Sequence, residues 1–209
     1  LHRPKAFVFD GSFPYRGMLN AIKSQEDSML KVWLRRGSIR PGSREIPVDS
    51  VKNFHAIIRP GDSVGIDSED ELDHGVSLVR CNPILLMEPE DLETKGSLRK
   101  RLGIPKEALL CYVQLGAGKI NDINSEISLV LNALSQHPKV YVIVGESMLG
   151  ERISSEFERV RILRDYPNSR YFSDFDFAVM AGGYNSSHEA IQASLPTICI
   201  PNLKTGRAD

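Results

Sequence analysis

Cysteine is scarce in this chain. Its 209 residues hold three, Cys81, Cys111 and Cys199. The number is odd and the spacing fits no metal pattern. A disulfide scaffold is therefore excluded, and reduced thiols in a cytosolic protein are expected. Excess charge of one sign is missing too: 26 Lys and Arg face 27 Asp and Glu, so there is no basic footprint for nucleic acid. No apolar run is long enough to read as a transmembrane helix. No signal peptide is read, because Leu1-His2-Arg3-Pro4 leads straight into a strand pattern. An initiator Met is lacking, and Thr205-Gly206-Arg207-Ala208-Asp209 reads as loop, so both ends suggest a fragment of a longer protein.

What is present is ordinary for a soluble α/β protein: 41% apolar and 25% charged residues, in a length that suits one large domain or two small ones. Apolar runs alternate with helical patterns. Residues 6–9, 31–34, 54–58 and 76–79 read as strands, with a helix beginning over 18–22. Residues 37–50 and 62–75 read as polar loops. Asn82-Pro83 marks the expected boundary between residues 1–83 and 84–209. Ser97 is expected to cap a short helix ending at Gly103. A cleaner series follows: strand 109–115, a glycine turn at Gly116-Ala117-Gly118-Lys119, and a helix over 125–136 built on Ile127, Val130, Leu131 and Leu134. Strand 140–144, a helical stretch within 150–159, and strand 160–163 come next. Such alternation implies a parallel, doubly wound sheet with right-handed crossovers.

The most informative stretch spans residues 177–201. It reads as strand, glycine turn, helix, and a second buried strand over 197–200. Asn185 or Ser186 is the expected N-cap, and Pro196 ends the helix. Such a turn brings helix N–H groups to the carboxyl edge of a parallel sheet, where α/β proteins hold phosphate. Gly182 and Gly183 let a ligand approach the backbone, and Asn185, Ser186 and Ser187 add donors. Glu189 suits the two hydroxyls of a ribose. The same letters allow a second reading, because Ser186-x-x-Glu189 is also a capping box in which Glu189 serves only its own backbone.

The stretch resembles the donor-binding signature of nucleotide-sugar glycosyltransferases with two Rossmann-like lobes, the GT-B class. Plant members read His-Cys-Gly-Trp-Asn-Ser-x-x-Glu where this chain has Ala181 to Glu189. The resemblance implies diphosphate contacts at Asn185 and Ser186 and a ribose contact at Glu189. The leading His is Ala181 here, so one phosphate donor of the family is absent. Asp209 stands where the family holds sugar hydroxyls. Leu115-Gly116-Ala117-Gly118-Lys119-Ile120-Asn121 resembles the glycine loop of bacterial lipid-intermediate N-acetylglucosaminyltransferases, which places Gly116 and Gly118 near the donor phosphates; a packing turn is the plainer reading. Arg80-Cys81-Asn82-Pro83-Ile84 resembles the segment joining the lobes of those enzymes, and is also an ordinary Asn-Pro turn.

The implied architecture is a GT-B-like pair of lobes, with residues 1–83 the late part of an incomplete acceptor lobe and 84–209 a donor lobe. The implied activity is inverting transfer from a UDP- or dTDP-sugar to an acceptor hydroxyl, with no metal or cofactor. The catalytic base is unassigned: His188 reaches an acceptor only if the helix start faces the cleft. The acceptor is open, and a lipid-linked one would bring peripheral contact with the inner membrane face. Asp174-Phe175-Asp176 offers too few carboxylates for a metal cage and reads as structural. Asp10 reads as a turn aspartate at a strand end. Arg99-Lys100-Arg101 reads as a solvated helix face. Two alternatives stand beside transfer: a donor-binding subunit without its own base, and a UDP-sugar epimerase of the same fold.

Overall fold

The structure, a computed structural model, describes residues 4–11, 14–25, 29–35, 48–63, 75–116, 123–146, 152–153 and 156–201. It is α/β, with two parallel sheets, and it divides between Ile84 and Leu85 into two units.

The first unit runs β1 (Ala6–Asp10), α1 (Arg16–Lys23), β2 (Leu30–Leu34), α2 (Val48–Val51), β3 (Ala56–Pro60) and β4 (Ser77–Cys81). The strands lie side by side in chain order. Each step moves the same way across the sheet, so right-handed crossovers all fall on one face. That face holds the core: Phe7, Phe9, Trp33, Ile57 and Leu78 meet Ile22 of α1 and Val51 of α2. Val8, Leu30 and Val79, on the other face, are exposed. Trp33 is fully buried between Phe9 and Phe54, with ring centroids 5.9 and 5.4 Å away, and its indole N–H donates to the Gly11 carbonyl at 2.8 Å. The third strand begins at Ala56 rather than at residue 54. The Phe54 amide closes the turn after α2, on the Val51 carbonyl, and its ring fills the core. The helix α2 itself enters a stretch that composition marks as loop.

The second unit contains α3 (Ser97–Leu102), β5 (Leu109–Gln114), α4 (Ile123–Ser135), β6 (Val140–Gly145), β7 (Val160–Leu163), β8 (Phe177–Met180), α5 (Tyr184–Gln192) and β9 (Thr197–Cys199). Strand order is β7-β6-β5-β8-β9, all parallel. The sheet is doubly wound, which accounts for the nearly unbroken apolar run in β5. Leu110 and Tyr112 join a cluster with α3 and α5, while Cys111 and Val113 join another with Ile127 and Leu131 of α4. Burial pushes the Cys111 thiol up to about 12, so it stays protonated.

A 3-10 segment, Asn168–Asp174, precedes β8. Three expectations need correction here. Among the described residues of 150–159 there is no helix, and Ile153 donates its N–H to the Glu146 carboxylate at 2.8 Å. The final strand is not buried, because β9 is an edge, and Ile198 and Cys199 are exposed. Ser97 is not an N-cap: Gly96 holds that place, in a left-handed conformation, and Ser97 is the first helical residue.

Candidate functional site

The chain leaves β5 outward through β6 and β7, then returns to lay β8 against the other side of β5. The carboxyl ends of β5 and β8 are therefore the switch point of the sheet, where open α/β proteins place their ligands. Both glycine turns lie there. Gly116 follows β5 with φ 101°, a left-handed value, and no atom of the described residues lies within 4 Å of where a Cβ would project. Ala181 follows β8, and its N–H donates to the Gln114 carbonyl at 3.1 Å, tying the two strand ends together. Gly182 takes φ 75° and turns the chain into α5.

Gly183 is the N-cap of α5, in extended conformation, and its carbonyl accepts the Ser187 N–H at 2.9 Å. This start is earlier than the sequence suggests, and it settles the capping-box alternative. Ser186 lies inside the helix, so it cannot cap it, and the N-cap glycine has no side chain to do so. The N–H groups of Asn185 and Ser186 fall in the first turn, which has no acceptors within the helix. The Asn185 side chain is exposed; those of Ser186, Ser187 and Glu189 are half-buried. Gly118 and Asp209 lie outside the described residues.

Glu189 lies on α5, which packs against the Asn168–Asp174 segment. Burial raises its carboxyl above the usual range, and the Ser169 side chain partly opposes that. A polar chain lies beside it. The Tyr112 hydroxyl meets Gln114 Oε1 at 3.0 Å, and Asn168 Nδ2 approaches that hydroxyl at 3.4 Å. Asn168 Oδ1 is buried with no hydrogen-bond partner. Tyr112 is almost wholly buried, which raises its phenol, and its ring lies against Gly145 at the end of β6. A Cβ on Gly145 would stand 2.6 Å from Tyr112 Cζ, so only glycine fits.

The other candidates are used inside the unit. His188 is buried, its Nδ1 bonds the Tyr184 carbonyl at 2.7 Å, and its ring stacks on Tyr184 with centroids 4.3 Å apart. That ties the imidazole to its own helix. Asp174 accepts from the backbone of Gly96 and Leu98, and Asp176 from the Leu110 N–H and Arg99, both at 2.7 Å. Arg99-Lys100-Arg101 is solvated in part: Lys100 and Arg101 are exposed, and Arg99 is half-buried. Arg99 pairs with Asp176, and Arg101 pairs with Asp165 and lies over the Tyr171 ring. Sequence reading missed Asn168 because no local pattern signals a contact made across 56 positions.

No helix among the described residues is long and apolar enough to cross a membrane. No family model matches the chain, and no curated protein matches it in sequence. Its fold does match solved structures. The glycotransferase of kitacinnamycin superposes with a TM-score of 0.62 at 13% identity, over 97% of this chain and 59% of that one. The spinosyn rhamnosyltransferase SpnG gives 0.54 at 12% identity, over 95% and 54%. The spinosyn forosaminyltransferase SpnP gives 0.51 at 13% identity, over 95% and 57%. The chain thus has the GT-B fold of these structures, and it spans a little over half of their length.

Proposed function

We propose that this chain is the donor-holding part of a glycosyltransferase that moves a sugar from a nucleoside-diphosphate sugar to an acceptor hydroxyl. One observation carries the reading. At the switch point of the second sheet, glycine turns follow both strand ends, and the second opens α5 on an N-cap glycine that has no side chain to satisfy the helix amides. In this reading residues 84–209 form the donor lobe and residues 1–83 belong to an acceptor lobe. Gly116, Gly118, Gly182 and Gly183 let the diphosphate come close to the backbone. Asn185, Ser186 and Ser187, with the helix dipole, hold its charge, and Glu189 accepts from the ribose diol. Asp209 would meet the sugar. UDP is the favoured nucleotide, with dTDP next.

Transfer would invert the anomeric carbon without a bound metal. As the glycosidic bond breaks, negative charge grows on the departing diphosphate. Amides fixed at a helix start stabilise that charge without having to reorganise. A base elsewhere in the full protein takes the acceptor proton. A cytoplasmic setting, with a lipid-linked acceptor at the membrane face, fits the same scheme.

A thermal-shift screen against UDP, dTDP, GDP and their sugars, with and without EDTA, tests it. A selective upward shift with one nucleotide, unchanged by EDTA, is expected, since a ligand that binds the folded state raises its stability by mass action. No shift with any nucleotide would reject the proposal. A shift abolished by EDTA would reject metal independence.

A further inference from the structure

We infer that Gln114 is a diphosphate-binding residue, and that the Tyr112 hydroxyl turns its side-chain amide so that the N–H groups meet the ligand. This rests on the nucleotide-sugar reading given above. Gln114 ends β5, and its carbonyl holds the Ala181 N–H at the start of the second glycine turn. Side chains alternate along a strand, so Gln114 shares a face with Leu110 and Tyr112, the face on which α3 and α5 pack. Its half-buried side chain is therefore on the α5 side of the carboxyl edge, beside the strand whose turn opens that helix.

A glutamine amide can turn either its oxygen or its nitrogen to a ligand. Here the choice is made in advance. The Tyr112 ring is buried and packs against Phe172 and Phe175, with centroids 5.1 Å away from each. Its hydroxyl donates to Gln114 Oε1 at 3.0 Å and accepts from Asn168 Nδ2 at 3.4 Å. Asn168 is buried, and this sense leaves its Oδ1 without a partner. Reversing the chain would leave an NH2 group unbonded in that place instead. Orphaned buried N–H groups are rarer than orphaned carbonyls, so the observed sense is the favoured one. With Oε1 occupied, Gln114 presents Nε2, which makes no hydrogen bond among the described residues. Two N–H groups suit a ligand atom that only accepts. A diphosphate oxygen is such an atom, and its charge strengthens the bond.

Calorimetric titration of the chain with UDP and with uridine, which lacks the diphosphate, tests this. The wild type should bind UDP the more tightly. Gln114→Met is close in volume and has no N–H to give. It should weaken UDP by on the order of 10-fold or more, as for a hydrogen bond to a charged group, and leave uridine unchanged. Gln114→Glu keeps an acceptor for the Tyr112 hydroxyl but puts an oxygen where Nε2 stood, so it should weaken UDP further. Tyr112→Phe frees the amide to turn and should weaken UDP by less than Gln114→Met. The double variant, Tyr112→Phe with Gln114→Met, removes the phenol along with its acceptor, and should match Gln114→Met even if that single variant folds poorly. A wild type that binds UDP no more tightly than uridine overturns the diphosphate reading, and this inference with it. A wild type that does, with either Gln114→Met or Gln114→Glu binding UDP undiminished, overturns the contact at Gln114 alone. Tyr112→Phe binding UDP undiminished overturns the orienting role of the phenol.

Discussion

The buried carboxylate of Asp174 accepts the backbone N–H of Leu98 at 2.6 Å, across 76 positions of sequence. It also takes the Gly96 N–H, and so supplies from outside the cap that α3 does not supply for itself. Asp174→Ala would strand two amides, at a cost of about 2–4 kcal/mol. Urea titration should show that loss in the second unit, with Asp174→Asn losing less because one acceptor oxygen remains.

Gly145 and Tyr112 cannot both carry full side chains. Gly145→Ala would drive a methyl into a ring that is 1% exposed and has nowhere to swing. A destabilisation of about 1–3 kcal/mol is expected, as for other overpacked cores. Tyr112→Phe in the same background should recover only part, because the ring carbons still crowd the new methyl. Thermal melts of the two single variants and the double variant measure this.

Burial raises the Glu189 carboxyl, so protonation favours the folded chain. That stabilisation is complete below the pKa of the unfolded glutamate and is lost as pH rises through the higher folded value. Glutamine carries no charge to bury. Glu189→Gln should therefore melt above the wild type at about pH 8, with the gap closing toward about pH 4. The same variant should bind UDP more weakly. A more stable protein that binds less is the signature of a carboxylate kept for function.

Asn185 is exposed, so Asn185→Ala should change folding stability by less than about 0.5 kcal/mol. Its effect should appear only with a diphosphate present. The thermal shift given by UDP should fall, while any shift given by uridine stays the same. Equal falls for both would place Asn185 near the base.

The strands of the second unit were legible because a sheet buried on both faces writes itself as short apolar runs. The glycine turns at Gly116 and Gly182 were legible because a left-handed backbone selects that residue. The helix start was misread by two residues: Asn185 and Ser186 are good caps, but the extended backbone at Gly183 takes the role, with Ser187 bonded back to it. Ser97 failed as a cap for a similar reason, since a distant aspartate did the work. The Arg99 and Arg101 pairs, and the Asp174 contacts with Gly96 and Leu98, are tertiary, and no local spacing announces them.

Trp33 is the only indole in the chain, and it sits wholly within the first unit. Every tyrosine except Tyr15 belongs to the second. The protein thus carries its own pair of optical reporters: emission excited at the red edge follows the first unit, and tyrosine emission follows the second. Whether the two melt as one body or in sequence can be watched without attaching a dye.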